Sequence, residues 1–389
     1  MAIDARVSKK AAAMTLIAAA AVSLTSIPAA AHDSTSRQPA AVGAGMQAVA
    51  APGTPRLPGG LSALSWMVAD ADTGSVLAAK NAHRKLPPAS TLKTLFAVTV
   101  LPKFSGGAVR RVSSADLAGI GSGSSVVGVK EGRRYTVADL WRGVFLRSGN
   151  DAVHVLAAMN GGWRTTAQEM QETAAKLGAR DTTVKSPDGY DAPGQVSSAY
   201  DLTVFARAGL ANDDFARYCA TTRAAFPGAG GTTMIENTNR ILVGSHGLSR
   251  YPGIIGVKNG YTSKAGNTLI AAARRNGRTL LVTVLNPQSN ATNAVYKEAG
   301  SLLDWGFDTA GKTQPVGTLH AVRTAYDGDA PLHPVAAEVT KATARGGPPR
   351  NSTLVLGAGG AGVAALGLGA LLGRWRQARG RRKQEGGAA

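Results

Sequence analysis

The 389-residue sequence predicts an α+β fold in which an antiparallel sheet, formed from both ends of the folded body, packs against a helical cluster. The order of patterns predicts it: strands come first, helices fill the middle, and strands followed by one helix return at the end. Hydrophobic residues make up 44% of the chain and charged residues 17%. This composition supplies a substantial core and excludes a wholly disordered protein.

The first two strands are predicted at 61–69 and 75–79, on either side of a turn-forming sequence at 72–74. Two prolines at 87–88 then end the extended chain and introduce a helix over 90–101, because proline is tolerated at a helix start but not in its interior. The opening of the body is therefore a hairpin followed by a helix.

The middle of the body is helical. Apolar residues recur at helical spacing in four segments. The first follows Thr136 and the last is capped by Ser198, and both are good N-cap residues. The predicted helices cover 137–147, 151–159, 165–177 and 198–208. The pattern then changes to strands at 267–273 and 279–285, joined across Asn276 and Gly277, a strong hairpin signal. A last helix is predicted over 291–305.

The two ends predict export and membrane anchoring. Residues 1–31 combine basic residues, an apolar stretch and small residues at a cleavage site, which is typical of a signal peptide. Residues 353–373 are predicted to form a transmembrane helix, because an uncharged run of about 20 residues spans a bilayer. The basic tail, 374–389, is expected in the cytoplasm, so the body faces outward.

Between these ends lies one predicted folded domain, residues 61–320. It is preceded by a flexible leader at 32–60 and followed by a Pro- and Gly-rich tether at 321–352. The net charge of +19 favours an anionic neighbour such as a cell wall or membrane surface, and nucleic acid is not expected behind a membrane span. A single cysteine, Cys219, excludes an intramolecular disulfide and a multi-cysteine zinc site.

The chemistry is predicted from three short motifs. Ser90 and Lys93 lie one helical turn apart, so a hydroxyl and a possible base share one face. About one Ser-x-x-Lys is expected by chance in a chain of this size, and alone the pair is better explained as a helix cap beside a solvated lysine. Two later motifs favour the catalytic explanation instead. Ser148 and Asn150 lie between two predicted helices, and the sequence 258–260 stands before the strand hairpin.

In this order and setting the motifs resemble Ser-x-x-Lys, Ser-x-Asn and Lys-Thr-Gly of the penicillin-recognising serine enzymes. With their flanks, 86–94, 146–152 and 256–266 are most similar to the D-alanyl-D-alanine carboxypeptidases, the low-molecular-weight penicillin-binding proteins. The resemblance implies a β-lactamase/transpeptidase-like catalytic domain, anchored outside the bacterial cell membrane. It would remove the terminal D-alanine from peptidoglycan stem peptides, be acylated by β-lactams, and use no cofactor or metal.

The resemblance also implies the catalytic roles. Ser90 would be the nucleophile and Lys93 its base, while Ser148 would relay a proton to the leaving amine and Asn150 would hold Lys93 and the substrate amide. A lysine amine has an ordinary pKa of ~10.4 and is almost wholly protonated at pH 7. Burial and the neighbouring charge of Lys258 are therefore expected to lower the pKa of Lys93.

Substrate binding is assigned in the same way. Lys258 would attract the carboxylate of the peptide, and Thr262 would help to bind it. Asn259 stands where the family usually has Thr; both side chains can hydrogen-bond a carboxylate, but their shapes differ. Gly260 would let the strand approach a bound peptide, and the backbone N–H of Tyr261 would join that of the nucleophile in an oxyanion hole.

Two alternatives stay open. A class A β-lactamase shares two of the motifs, but it needs a glutamate to activate the deacylating water, and no Glu followed four residues later by Asn occurs after Asn150. A catalytically silent, membrane-anchored peptidoglycan-binding protein would keep the cleft for recognition alone. Asn259 leaves that alternative open, whereas the intact pair of Ser90 and Lys93 argues against it.

Overall fold

The computed structural model of the chain describes residues 42–49, 52–228 and 230–320. The strands, in chain order, are β1 (Met46–Ala48), β2 (Ala63–Asp70), β3 (Ser75–Lys80), β4 (Val109–Arg111), β5 (Arg134–Thr136), β6 (Arg223–Gly228), β7 (Gly231–Glu236), β8 (Ile254–Thr262), β9 (Gly266–Arg275), β10 (Arg278–Pro287) and β11 (Gly317–Thr318). The α-helices are α1 (Lys93–Val100), α2 (Val137–Arg147), α3 (Asn150–Met159), α4 (Trp163–Lys176), α5 (Ala199–Leu210), α6 (Asp213–Ala220), α7 (Arg240–Val243) and α8 (Ala294–Thr309).

The main sheet is antiparallel and has the strand order β1-β3-β2-β10-β9-β8, with β11 also paired to β3. The predicted hairpin at Asn276 and Gly277 joins β9 to β10, and both residues have positive φ (49° and 78°), as a two-residue hairpin turn requires. Because β10 pairs with β2, the end of the body completes the sheet begun at its start. The prediction of one antiparallel sheet built from both ends is confirmed.

Helices cover both faces of this sheet. Alternate residues of a strand point to opposite faces, and Ile270 and Leu281 belong to a core with the helices of the middle segment, whereas Leu269 and Val282 belong to a second core with α8. The predicted helical cluster therefore lies on one face. The closing helix lies on the other, so the strands of the sheet are buried between two layers.

Some elements were not predicted. The hairpin of β6 and β7 packs on the helical layer through Phe226, whose ring stacks on Tyr135 with centroids 5.6 Å apart. Strand β1 lies inside the segment expected to be a flexible leader, and the structure corrects that expectation at 46–48. Its backbone pairs with β3, and Val42 beside it is buried. This segment joins the sheet through backbone hydrogen bonds, which any sequence can form. Hydrophobic periodicity therefore gives no signal for this strand.

Several predicted segments fall outside the described residues: the signal peptide at 1–31, the tether at 321–352, the transmembrane helix at 353–373 and the basic tail at 374–389. In the part of the chain that the structure describes, no helix combines the length and apolarity that a membrane span needs. Export and anchoring therefore stay predictions.

Candidate active site

The turn before α1 carries the first motif. The predicted helix over 90–101 is divided into a 3₁₀ turn, Ala89–Leu92, followed by α1. Ser90 lies in the turn and is half-buried, and Lys93 is the first residue of the helix. Lys93 Nζ donates a hydrogen bond to Ser90 Oγ at 2.8 Å. The hydroxyl and the amine are therefore within the distance that proton transfer to a general base requires.

Lys93 is buried, with 1% of its side chain exposed. Its amine also donates to the backbone carbonyl of Asp188 at 2.5 Å. Burial lowers the pKa of Lys93 to about 8, although the negative charges of Asp188 and Asp151 oppose this shift. With that pKa roughly one amine in ten is neutral at pH 7, against about one in 2,500 for an ordinary lysine.

The second motif joins α2 to α3. Ser148 ends α2 in the left-handed conformation (φ 57°, ψ 27°), and Asn150 begins α3. Ser148 Oγ and Asn150 Oδ1 are buried and make no hydrogen bond to any described residue. Buried polar atoms are normally paired. Two unpaired ones in a single motif are therefore available for a substrate.

The amide of Asn150 has a different partner from the predicted one. Its Nδ2 donates to Ser124 Oγ at 3.0 Å, whereas the amine of Lys93 bonds to Ser90 and to the Asp188 carbonyl. In this structure the Lys93 amine is therefore held by the backbone carbonyl of Asp188 and not, as expected, by the Asn150 side chain. Asp151, the next residue, lies within electrostatic range of Lys93, so the second motif borders the first.

Strand β8, at the edge of the sheet, carries the third motif against the turn of the nucleophile. A methyl group added at Gly260 would lie 2.7 Å from the backbone nitrogen of Ser90 and 2.7 Å from Thr268 Oγ1. Real Cβ contacts are essentially never so short. The predicted reason for this glycine is the approach of a bound peptide; the structure adds a nearer one, the approach of the nucleophile's own backbone.

Lys258 points to the same face of the sheet as its cross-strand partner Ile270, toward the helical layer. Its side chain is 1% exposed, and its amine donates to the backbone carbonyl of Asn259 at 2.8 Å. Burial lowers the pKa of Lys258 well below its usual value, and the charge of Lys93 lowers it further. Two charged amines in this site repel each other, so a bound anion would favour the charged form of Lys258.

The remaining residues of the third motif differ in their surroundings. Asn259 Oδ1 accepts a hydrogen bond from Thr238 Oγ1 at 3.1 Å, and the Thr238 carbonyl accepts one from Tyr296 Oη on α8 at 3.4 Å. Thr262 Oγ1 donates to Asp191 at 2.8 Å, so this hydroxyl is already engaged. Tyr261, with 68% exposure, stands at the rim.

Two contributions to the site were missed by sequence reasoning: the Asp188 carbonyl that receives Lys93, and the Ser124 hydroxyl that receives Asn150. Next to the first, Gly189 has φ 79°, and a methyl group there would lie 2.0 Å from the carbonyl oxygen of Ala89. A Pro-Asp-Gly sequence predicts a turn at 187–189. It does not predict which distant side chain the turn will contact.

Comparison with known proteins identifies the family. The family model described as D-alanyl-D-alanine carboxypeptidase matches residues 49–289. The chain is 40% identical over 248 residues to D-alanyl-D-alanine carboxypeptidase DacB2 of Mycobacterium tuberculosis, covering 63% of this chain and 82% of the relative.

Solved structures agree. A crystal structure of D-alanyl-D-alanine carboxypeptidase from Mycobacterium tuberculosis H37Rv matches with a TM-score of 0.63 and 38% identity over 70% of this chain and 100% of that one. Penicillin-binding protein 6B from Escherichia coli matches with a TM-score of 0.59 and 32% identity over 67% and 82% of the two chains. The penicillin-binding-protein fold implied by the three motifs is confirmed. The chain therefore belongs to the D-alanyl-D-alanine carboxypeptidase family.

Proposed function

We propose that this chain removes the terminal D-alanine from peptidoglycan stem peptides through an acyl-enzyme on Ser90, and that β-lactams acylate the same hydroxyl. The observation that carries the proposal is the 2.8 Å hydrogen bond from Lys93 Nζ to Ser90 Oγ in a site where burial lowers the pKa of the amine to about 8. Family membership supplies the substrate class. The paired groups supply the chemistry, a serine activated by a neutral amine.

Substrate binding prepares the base. The peptide ends in a carboxylate, and Lys258 offers a buried amine whose charge is unfavourable without an anion. When the carboxylate arrives, the ammonium form of Lys258 is stabilised, and its charge disfavours a second ammonium on Lys93. Binding of the correct substrate thus helps to release the proton from the catalytic amine.

Acylation then begins with a proton transfer inside the buried pair. Lys93 takes the proton from Ser90 Oγ, and the oxygen attacks the carbonyl carbon of the penultimate D-alanine. The backbone N–H groups of Ser90 and Tyr261 stabilise the oxyanion. Ser148 passes the proton to the leaving nitrogen, the C–N bond breaks, and D-alanine departs. Asn150 Oδ1 accepts a hydrogen bond from the substrate amide, and water later hydrolyses the ester.

The direct test is penicillin labelling of the full-length chain, purified in detergent and analysed by mass spectrometry. The wild type is expected to gain one penicilloyl group, and peptide mapping should place it on Ser90. Ser90→Ala is expected to gain none, because the acyl acceptor is missing. Ser301→Ala, an exposed serine of α8, is the matched control and should label like the wild type.

A second assay on the same samples separates the alternatives. Release of D-alanine from a peptide ending in D-Ala-D-Ala is expected for the wild type. Rapid turnover of penicillin without an adduct would instead indicate a β-lactamase, and peptide binding without release would indicate a silent binding protein. Equal labelling of the wild type and Ser90→Ala contradicts the proposed nucleophile.

We also propose that the protein is exported and anchored in the cell membrane with its catalytic domain outside. The apolar runs in 1–31 and 353–373 and the basic tail support this topology. The full-length chain is expected in the membrane fraction and accessible to added protease in spheroplasts. A chain ending at residue 352 is expected in the medium or periplasm; finding both forms in the cytosol contradicts the topology.

A further inference from the structure

A Gly- and Ser-rich segment without helix or strand, residues 118–128, borders the site beside Asn150. Asn150 donates through Nδ2 to Ser124 Oγ at 3.0 Å and through its backbone N–H to the Ser125 carbonyl at 2.8 Å. The placement of this segment therefore sets the orientation of the Asn150 amide. The free Oδ1 atom of that amide is the one that we assign to the substrate.

The two ends of the segment are fixed by α3. The carboxylate of Asp151 accepts three backbone N–H groups, from Val127, Gly128 and Val129, at 2.8–2.9 Å. At the other end, the ring of His154 lies beside Ala118 and Gly119. Between these anchors lie three glycines, and glycine leaves the backbone more conformations than other residues do. The middle of the segment thus needs its own support to hold Ser124 in place.

Tyr190 supplies that support. Its Oη donates to the Ser122 carbonyl at 2.8 Å. Its ring covers Gly121 so closely that a methyl group added there would lie 2.7 Å from a ring carbon. The side chain is 38% exposed, so the contact bridges the surface between two loops.

Tyr190 is itself fixed to the catalytic centre. Its backbone N–H donates to Asp188 Oδ1 at 3.0 Å, and the carbonyl of Asp188 accepts from Lys93. The following residue, Asp191, accepts from Thr262 Oγ1 on β8 at 2.8 Å. One turn thereby contacts the base, the edge strand and, through the tyrosine, the segment that orients Asn150.

We propose that Tyr190 is a positioning residue for Asn150, acting through Ser122 and Ser124. It couples the turn that holds Lys93 to the loop that holds Asn150, so the base and the amide keep one relative geometry during acylation. The proposal rests on the proposed function, since it concerns the rate of Ser90 acylation. It does not require Tyr190 to touch the substrate.

The test is a double-mutant cycle on the full-length chain, with the rate of penicillin acylation of Ser90 as the readout. Tyr190→Phe removes only the hydroxyl and leaves the ring on Gly121. We expect acylation about tenfold slower, since misplacement of a group by about 1 Å can cost ~10²-fold. Ser124→Ala should slow acylation similarly. The double variant should acylate no more slowly than Ser124→Ala, because both changes interrupt the same chain of contacts from Tyr190 to Asn150.

Controls separate positioning from loss of folding. Tyr251→Phe removes a hydroxyl that bonds to Asp304 at 2.7 Å on α8, and it should acylate like the wild type. Hydrogen exchange of residues 119–125 should be faster in Tyr190→Phe, with an unchanged thermal unfolding transition of the rest. Should Tyr190→Phe unfold, Gly121→Ala displaces the ring instead and is expected to give the same slow acylation.

Two results overturn the proposal: wild-type acylation by Tyr190→Phe, or effects of Tyr190→Phe and Ser124→Ala that multiply in the double variant. Neither result bears on the proposed function, which is judged by labelling of the wild type at Ser90. If the wild type itself is not acylated, the proposed function fails first. The hydrogen-exchange comparison then decides alone whether Tyr190 holds the loop.

Discussion

Replacing Lys93 with methionine is expected to slow acylation of Ser90 by about 10²–10⁴-fold, the usual contribution of a positioned general base. Methionine has a similar length and fills the buried space, but it cannot accept the proton of the hydroxyl now bonded to Lys93 Nζ at 2.8 Å. The rate is measured as the time course of the penicilloyl adduct by mass spectrometry. Lys297→Met, an exposed lysine of α8, is the matched control and should keep the wild-type rate.

Lys93→Arg tests whether the amine acts as a base or only as a positive charge. Arginine keeps the charge but does not lose its proton at any accessible pH. We therefore expect the acylation rate of this variant to fall as far as that of the methionine variant. In the wild type the neutral amine is the active form, and its pKa is lowered to about 8. Acylation should therefore rise with pH and level off above about 8, whereas the methionine variant should lack this rise. More than a tenth of the wild-type rate in Lys93→Arg contradicts the assignment.

Gly260→Ala is expected to lower kcat/KM for a peptide ending in D-Ala-D-Ala by ~10²-fold or more. The added methyl group would lie 2.7 Å from the Ser90 nitrogen and 3.1 Å from Ala89 Cβ, so β8 must move away from the turn. That movement separates the two N–H groups that we assign to the oxyanion, whose loss singly costs about 10²–10³-fold. D-Alanine release measured against peptide concentration gives both constants.

Gly300→Ala is the control for this change. It lies in α8, and its added methyl group would make ordinary contacts of 3.8 Å with Tyr251. Activity should be unchanged, and a helical Ala is about 0.5–1 kcal/mol more favourable than Gly. Thermal unfolding of both variants shows whether Gly260→Ala still folds. A folded Gly260→Ala protein with wild-type kcat/KM would rule out a close fit between β8 and the nucleophile turn.

Local signals explain which parts of the fold could be predicted. Helix α2 has the predicted bounds because Thr136 and Asp139 form a reciprocal cap at its start. The hairpin of β9 and β10 follows from Asn276 and Gly277. Helix α6 and the β6–β7 hairpin were missed, because α6 is short and the hairpin buries Phe226 and Ile235 while exposing most of its other residues.

The residues of the candidate site also differ in whether a local signal predicts them. Ser90 and Lys93 could be paired because both lie within one turn of chain. The Asp188 carbonyl, which every residue type could provide, comes from 95 positions away and carries no signal of its own. The sequence shows Asn259 as a departure from the family, but only the structure shows that its amide oxygen accepts a hydrogen bond from Thr238.

The pairing of β2 with β10 has a consequence for biogenesis. Residues 63–70 bond to residues 280–287, so the sheet that presses the third motif against the nucleophile closes only after most of the chain has emerged. Contacts of such long sequence separation make folding slow relative to helical proteins. A polypeptide with this connectivity has no assembled catalytic site until residues 280–287 are free to pair with residues 63–70, so a partly synthesised chain cannot hydrolyse its substrate.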